Sequence, residues 1–112
     1  MQTEDRIRIL HILDEASEAC KYTDGLSFDE FLRDGKTARA VIRSIEVIGE
    51  AASKISTEFR QEHPNIPWQK IIGMRNRLIH VYFDIDFNIV WQTVKENLPS
   101  LIVQLRTVLK EL

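Results

Sequence analysis

The stretch Thr37-ARAVIRSIEVIGEAASK-Ile55 decides the fold class, because its apolar residues recur with the period of an α-helix. The inner positions are Val41, Ile45, Ile48, Ala52 and Ile55, spaced by 4, 3, 4 and 3 residues. This spacing places them on one face of a helix, and such a seam is suited to near-parallel packing against other helices.

The segments on either side also have helical periodicity, and none alternates as a half-buried strand would. Ser27 and Glu30 form a capping-box pattern that opens a short helix, and two prolines within residues 63–67 mark a connector. Asp86 is expected to cap a long final helix that is kinked or broken at Pro99. The sequence therefore predicts an all-α, up-and-down bundle of four long helices and one short one.

Size, charge and cysteine content limit the function. With 112 residues the chain has room for one core, so residues 1–112 are predicted to form a single domain. The formal net charge of −2 provides no basic field, so any attraction for nucleic acid must come from a local patch or from assembled subunits. Cys20 is the single cysteine, and neither a signal peptide nor a membrane-spanning run is recognisable, so we expect a cytoplasmic protein.

The segment from Trp68 to Phe83 is also predicted to be a helix, and one of its residues breaks the apolar pattern. Arg75 falls inside the broad apolar arc of the helical wheel, whereas His80 lies on the opposite, polar face. Since burying an unpaired guanidinium costs several kcal/mol, a charge in this position usually belongs to a site or an interface.

Arg75 and His80 together suit the cleavage of an RNA phosphodiester. An imidazole exchanges protons near neutral pH, and a guanidinium can hold phosphate oxygens in a bidentate fork. Asn76, one helical turn before His80, can orient the imidazole or a phosphate. On an ideal helix Arg75 and His80 would be about 140° apart. Either the helix is distorted or ends near His80, or the site combines residues from two subunits.

Apolar residues outside a single stripe predict a second buried surface. Ile89, Ile102 and Leu109 lie beside the main apolar row of the final helix. We therefore expect a homodimer.

The three histidines, at positions 11, 63 and 80, do not have the spacing of metal ligands. We accordingly expect neither a metal site nor a cofactor.

The string from Arg75 to Tyr82 resembles the Arg-x4-His motif of HEPN-domain ribonucleases, including the polar residue directly after the arginine. With the tyrosine added, it is similar to the motif of the HepT toxins. The likeness extends in order and length over nearly the whole chain. The other matching segments are Ile48-Gly49-Glu50-Ala51, Ile66-Pro67-Trp68, Gly73-Met74-Arg75-Asn76 and Tyr82-Phe83-x-x-Asp86 leading to Val90-Trp91.

This resemblance implies a helical bundle that dimerises and brings two copies of the motif together in a cleft. It implies a metal-independent RNA endonuclease, the toxin of a prokaryotic type VII toxin–antitoxin system. It also implies a partner, an MntA-type nucleotidyltransferase antitoxin that transfers AMP from ATP to the motif tyrosine. The implied substrate is RNA, with transfer RNA, messenger RNA and a broader set of RNAs as the alternatives.

The resemblance also assigns roles to residues of this chain. Arg75 and His80 would be the catalytic pair, and Tyr82 would accept AMP. The remaining candidates are Asn76 and Arg77 as auxiliary, RNA-binding residues, and Glu50, which matches a family position and would either pair with Arg75 or serve packing.

Two other interpretations of these residues stay open. The domain could be a non-catalytic subunit that binds nucleotide or nucleic acid beside a nucleotidyltransferase, with Arg75 and His80 holding phosphate. It could also be an interaction bundle in which Arg75 pairs with Glu46 or Glu50, and Arg75→Met would then be tolerated or even stabilising.

Overall fold

Eight α-helices, a π-helical segment and a two-stranded ladder are present in the computed structural model, which describes residues 2–81 and 84–111 and, for residues 79–81, only the backbone. The predicted all-α bundle is confirmed, and the short ladder is an unpredicted addition. In chain order the elements are α1 (Thr3–Thr23), α2 (Phe28–Arg33), α3 (Gly35–Ser53), α4 (Thr57–Glu62), α5 (Trp68–Ile72), α6 (Met74–Leu78), β1 (Ile79–Val81), β2 (Asp84–Ile85), α7 (Phe87–Gln92), the π-helical segment Thr93–Asn97 and α8 (Leu98–Lys110).

The long helices α1 and α3 form the centre of the bundle and have the most extensive contact of any two elements. The predicted inner positions from Val41 to Ile55 are all buried, the last of them two residues beyond the end of α3. Helix α8 packs against α1, and α5 and α6 pack against α3. The apolar seam in the sequence therefore marks the middle of the core.

Local capping signals begin the helices where the sequence predicts. The Ser27 hydroxyl accepts a hydrogen bond from the Glu30 N–H at 3.1 Å, and the Glu30 carboxylate accepts one from the Ser27 N–H at 3.0 Å. The bond from the Ser27 backbone N–H to the charged carboxylate, followed by the interaction with the Ser27 side chain, holds the pKa of Glu30 below its usual value. The capping box that opens α2 is thus confirmed.

Helix α4 was not predicted as a separate element. Ser56 caps it, with its hydroxyl accepting a hydrogen bond from the Phe59 N–H at 3.2 Å. The Ser56 N–H and hydroxyl also donate to the buried carboxylate of Asp5 at 2.9 and 2.6 Å. This contact ties the start of α1 to the segment just after α3 and fixes the two long helices at that end.

The final helical segment contains the irregularity that the sequence predicts. As predicted, the Asp86 side chain caps it and accepts hydrogen bonds from two backbone N–H groups at 3.0 and 3.2 Å. Pro99 has no N–H to offer the carbonyl of Lys95, four residues earlier. The irregularity is the π-helical segment that ends at Asn97, two residues before the proline.

The segment from Trp68 to Phe83 is not one helix, so that prediction is wrong. Helix α5 ends at Ile72 with Gly73 as its C-cap, α6 continues only to Leu78, and β1 then pairs antiparallel with β2. The β-branched residues of β1 favour an extended backbone, and pairing with β2 overrides the helical period. Phe83 lies outside the described residues.

Part of the expected surplus of apolar surface is covered within the subunit. Ile89, Ile102 and Leu109 are partly buried against the core, so they do not form a separate exposed face. No helix in the described ranges has the length and apolarity to cross a membrane. Large apolar side chains are exposed elsewhere, namely Ile7, Leu10, Tyr22, Leu32, Phe87 and Val103.

Gly49 sets the distance between α3 and α5. A Cβ atom at this buried position would lie 3.3 Å from the carbonyl oxygen of Ile72 and 3.4 Å from that of Ile71. Both neighbours are backbone atoms, which cannot rotate away as a flexible side chain could. The glycine therefore allows the end of α5, and with it α6, to approach α3 closely.

We expect Gly49→Ala to lower the free energy of unfolding by about 1 kcal/mol. Overpacking costs about 1–3 kcal/mol, and the gain in helix propensity returns about 1 kcal/mol. The melting temperature should fall by about 4 °C. Gly35→Ala is the control for the same change in the first turn of α3, because a Cβ there meets nothing within 4 Å and no overpacking results. An equal rise in melting temperature for both variants would show that Gly49 does not set this spacing.

Candidate functional site

A groove of about 750 Å³ lies between the N-terminal half of α1 and the C-terminal half of α3. Four residues of α1 line it, and six residues between positions 43 and 54 supply the facing wall; those of α1 are Glu4, Ile7, Arg8 and His11. Arg75 reaches the groove from α6. The groove thus brings together three segments that are far apart in the sequence.

The helical wheel predicts that Arg75 lies among apolar side chains, and this prediction is wrong. Arg75 lies at the groove with its side chain 58% exposed. Its Nε atom is 3.7 Å from Oε1 of Glu46 on α3. The helical wheel assumed one continuous helix, whereas the chain is interrupted at Gly73. Met74 and Leu78 fill the buried positions of the short α6, and Arg75 is directed outward.

The Arg75–Glu46 ion pair is too long and too exposed to be a major source of stability. Exposed pairs of this kind contribute at most about 1 kcal/mol. The closest contact uses Nε of the guanidinium, whereas a bidentate fork can be formed by its two terminal nitrogens. The Glu46 carboxylate can therefore orient Arg75 while the guanidinium still binds a second anion.

Glu50 does not pair with Arg75. Its Oε1 atom lies 3.2 Å from Nζ of Lys54, and both side chains are more than half exposed. The sequence leaves two hypotheses for Glu50, an ion pair with Arg75 and a packing role, and this exposed position agrees with neither. Glu46 is the carboxylate beside Arg75, and the charged residues recurring every three or four positions along α3 are the signal that could have indicated this wall.

Asn76 and Arg77 are both exposed on α6, next to Arg75 in the chain. Arg77 donates a hydrogen bond from Nη2 to the carbonyl oxygen of Lys70 at 3.1 Å. This bond helps to satisfy the C-terminal end of α5. A guanidinium has five N–H donors, so Arg77 can still contact a phosphate.

His80 and Tyr82 follow α6 in the chain, and the side chain of His80 lies outside the described part of the structure. The backbone of His80 lies in β1, and Tyr82 lies outside the described residues. The separation of about 140° assumed a continuous helix, and it no longer applies because α6 ends at Leu78. Of the alternatives considered from the sequence, the one in which the helix ends near His80 is confirmed.

The other two histidines have different surroundings. His11 is exposed in the groove, whereas the ring of His63 lies against Phe59, with 4.5 Å between the ring centroids. In the parts of the chain that the structure describes, no three His, Cys, Asp or Glu side chains are grouped so that they could hold a metal ion.

Comparison with known proteins gives the family. The family model described as "Ribonuclease HepT-like" matches residues 12–108. A protein of Caldanaerobacter subterraneus subsp. tengcongensis, provisionally named an RNase, is 40% identical over 101 residues, which cover 90% of each chain. The "Probable ribonuclease HepT" of Thermococcus cleftensis is 43% identical over 98 residues, covering 88% of this chain and 84% of that protein. No solved structure gives a significant match. The chain therefore belongs to the HepT-like ribonuclease family.

Proposed function

We propose that this chain is a metal-independent RNA endonuclease, active as a homodimer, with Arg75 and His80 as its catalytic pair. The observation that carries the proposal is the exposed guanidinium of Arg75 at the groove, oriented by Glu46 and open to a further anion. Membership of a family whose relatives are named as ribonucleases supports RNA cleavage as the reaction.

The reaction needs groups that transfer two protons and a group that stabilises the negative charge developing on the phosphate oxygens. The 2′-hydroxyl oxygen attacks the neighbouring phosphorus and loses its proton to a base, while the 5′-oxygen leaves with a proton from an acid. The products are a 2′,3′-cyclic phosphate and a 5′-hydroxyl. We assign the proton transfers to the two His80 imidazoles of the dimer, one neutral and acting as the base, the other protonated and acting as the acid. We assign the binding of the phosphate oxygens to Arg75, because a guanidinium stabilises the charge that grows on them. Asn76 and Arg77 would contact flanking phosphates.

The homodimer is proposed to place two copies of the motif in one cleft. The resemblance to HepT toxins supports this arrangement, as do the large apolar side chains that α1 exposes at Ile7 and Leu10. Sedimentation at micromolar concentration measures the subunit number directly.

We further propose that the protein is the toxin of a type VII toxin–antitoxin system in a prokaryotic cytoplasm. A nucleotidyltransferase antitoxin would neutralise it: the Tyr82 hydroxyl oxygen attacks the α-phosphorus of ATP, pyrophosphate leaves, and the phenolic proton is released. The attached AMP adds negative charge two residues from His80. Charge repulsion and bulk would then both oppose the entry of an RNA phosphate.

The Arg75–Glu46 ion pair also favours one other interpretation, an interaction bundle in which this pair joins α3 to α6. The two readings differ in what they expect of RNA. The bundle would leave RNA intact, and Arg75→Met would have no effect on any RNA readout.

The test compares one oligoribonucleotide with its fully 2′-O-methylated form, each incubated with the purified protein in the presence and absence of EDTA, and measures both binding and cleavage. We expect cleavage of the first and none of the second, because methylation removes the nucleophile. Loss of all cleavage on adding EDTA would contradict metal independence. Binding of both oligonucleotides without cleavage of either would favour the non-catalytic binding subunit.

A further inference from the structure

Two arginines in the groove have no carboxylate partner within residues 2–81 and 84–111. Arg8 on α1 is half-buried and Arg43 on α3 is exposed, and both line the groove that contains Arg75. The ion pairs found in the groove are Arg75–Glu46 and Lys54–Glu50, so neither includes these two side chains. Glu4, one turn before Arg8 on α1, also lines the groove but forms no ion pair with it, so both guanidinium groups can bind an external anion.

Arg43 is close to the catalytic candidate. It precedes Glu46 by three residues on the same face of α3, where Cβ atoms are about 5–6 Å apart. Glu46 in turn contacts Arg75. A polyanion bound at Arg75 can thus reach Arg43 with the phosphate of a nearby nucleotide.

Arg8 places a second charge on the opposite wall. It is one helical turn from His11, and both side chains line the groove from α1. The facing wall from Arg43 to Lys54 is about 16 Å long at the helical rise of 1.5 Å per residue. The groove is therefore long enough for more than one phosphate of a strand.

We propose that Arg8 and Arg43 form an RNA phosphate-binding subsite in the α1–α3 groove, next to the Arg75 position. This proposal rests on the proposed ribonuclease function and adds the residues that hold the strand outside the cleaved bond. The groove holds four cationic side chains against three glutamates, so it is more positive than the chain as a whole, whose net charge is −2.

The test measures the binding of a 2′-O-methylated single-stranded RNA to the full-length protein at several salt concentrations. Each phosphate contact to a single strand contributes about 0.7 to the slope of log Kobs against log salt concentration. Arg8→Gln and Arg43→Gln should each reduce the slope by about 0.7 and weaken binding at low salt about tenfold. Arg106→Gln, an exposed arginine on α8, is the matched control for the loss of one positive charge.

The subsite proposal would be overturned if the salt slope of Arg8→Gln and of Arg43→Gln equals the salt slope of Arg106→Gln. If the slopes are unchanged and sedimentation shows that the same variants dissociate from dimer to monomer, the two arginines would instead belong to a contact between copies. Because the probe is not cleavable, the outcome is independent of catalysis. A protein that binds through these arginines but never cleaves unmodified RNA refutes the ribonuclease proposal and leaves the subsite intact. Cleavage with unchanged slopes refutes only the subsite.

Discussion

Arg75→Ala is expected to lower the rate of RNA cleavage by about 10²–10³-fold, the usual effect of removing one preorganised donor to a developing oxyanion. The fold should survive, because the side chain is 58% exposed and its ion pair with Glu46 contributes at most about 1 kcal/mol. Single-turnover cleavage measures the first effect, and thermal unfolding with sedimentation measures the second.

Two matched variants separate the role of Arg75 from that of positive charge in general. Arg75→Lys keeps the charge but loses the planar fork, so an intermediate rate is expected. Arg106→Ala removes an exposed arginine on α8 and should leave the rate close to that of the wild type. If Arg75→Ala or Arg75→Met cleaves RNA at the wild-type rate, Arg75 is not a catalytic residue and its contact with Glu46 only joins α6 to α3.

Tyr82→Phe is expected to abolish AMP addition, the second large effect. After incubation with ATP and the nucleotidyltransferase partner, the intact mass of the wild-type protein should rise by whole AMP units. The variant lacks the attacking oxygen, so its mass should not change. RNA cleavage should be lost in the modified wild type and retained in Tyr82→Phe under the same conditions, because only the former carries the added negative charge.

Tyr22 provides the control for this modification, since it is the other tyrosine of the chain and is 43% exposed on α1. Tyr22→Phe should be modified as fully as the wild type. AMP addition that persists in Tyr82→Phe and disappears in Tyr22→Phe would place the acceptor on α1 and refute the assignment from the motif.

The parts of the fold that depend on residues close together in the sequence are predictable from the sequence. The seam of α3 and the capping box at Ser27 and Glu30 are local patterns, and both are present in the structure. Helix α4 was missed because its six residues are too few to show an apolar stripe, although Ser56 gives a capping signal. The end of α6 was missed because it depends on pairing between β1 and β2, which a helical wheel does not represent.

The candidate site was predictable in its motif but not in its surroundings. The position of Arg75 was wrong because it was derived from a continuous helix through Gly73. The choice of Glu46 over Glu50 as its partner depends on how α6 lies against α3, which Gly49 influences from within the core. The groove itself joins α1 to α3 across more than 30 residues of sequence, a relation that no short motif contains.

Identification of the chemical ends of the RNA fragments formed in EDTA tests the proposed reaction most directly. We expect mass spectrometry to find 2′,3′-cyclic phosphates on one set of ends and 5′-hydroxyls on the other, in a reaction that Arg75→Ala and His80→Ala each suppress. Fragments with 3′-hydroxyl and 5′-phosphate ends would contradict an attack by the 2′-oxygen, and with it the roles assigned to Arg75 and His80.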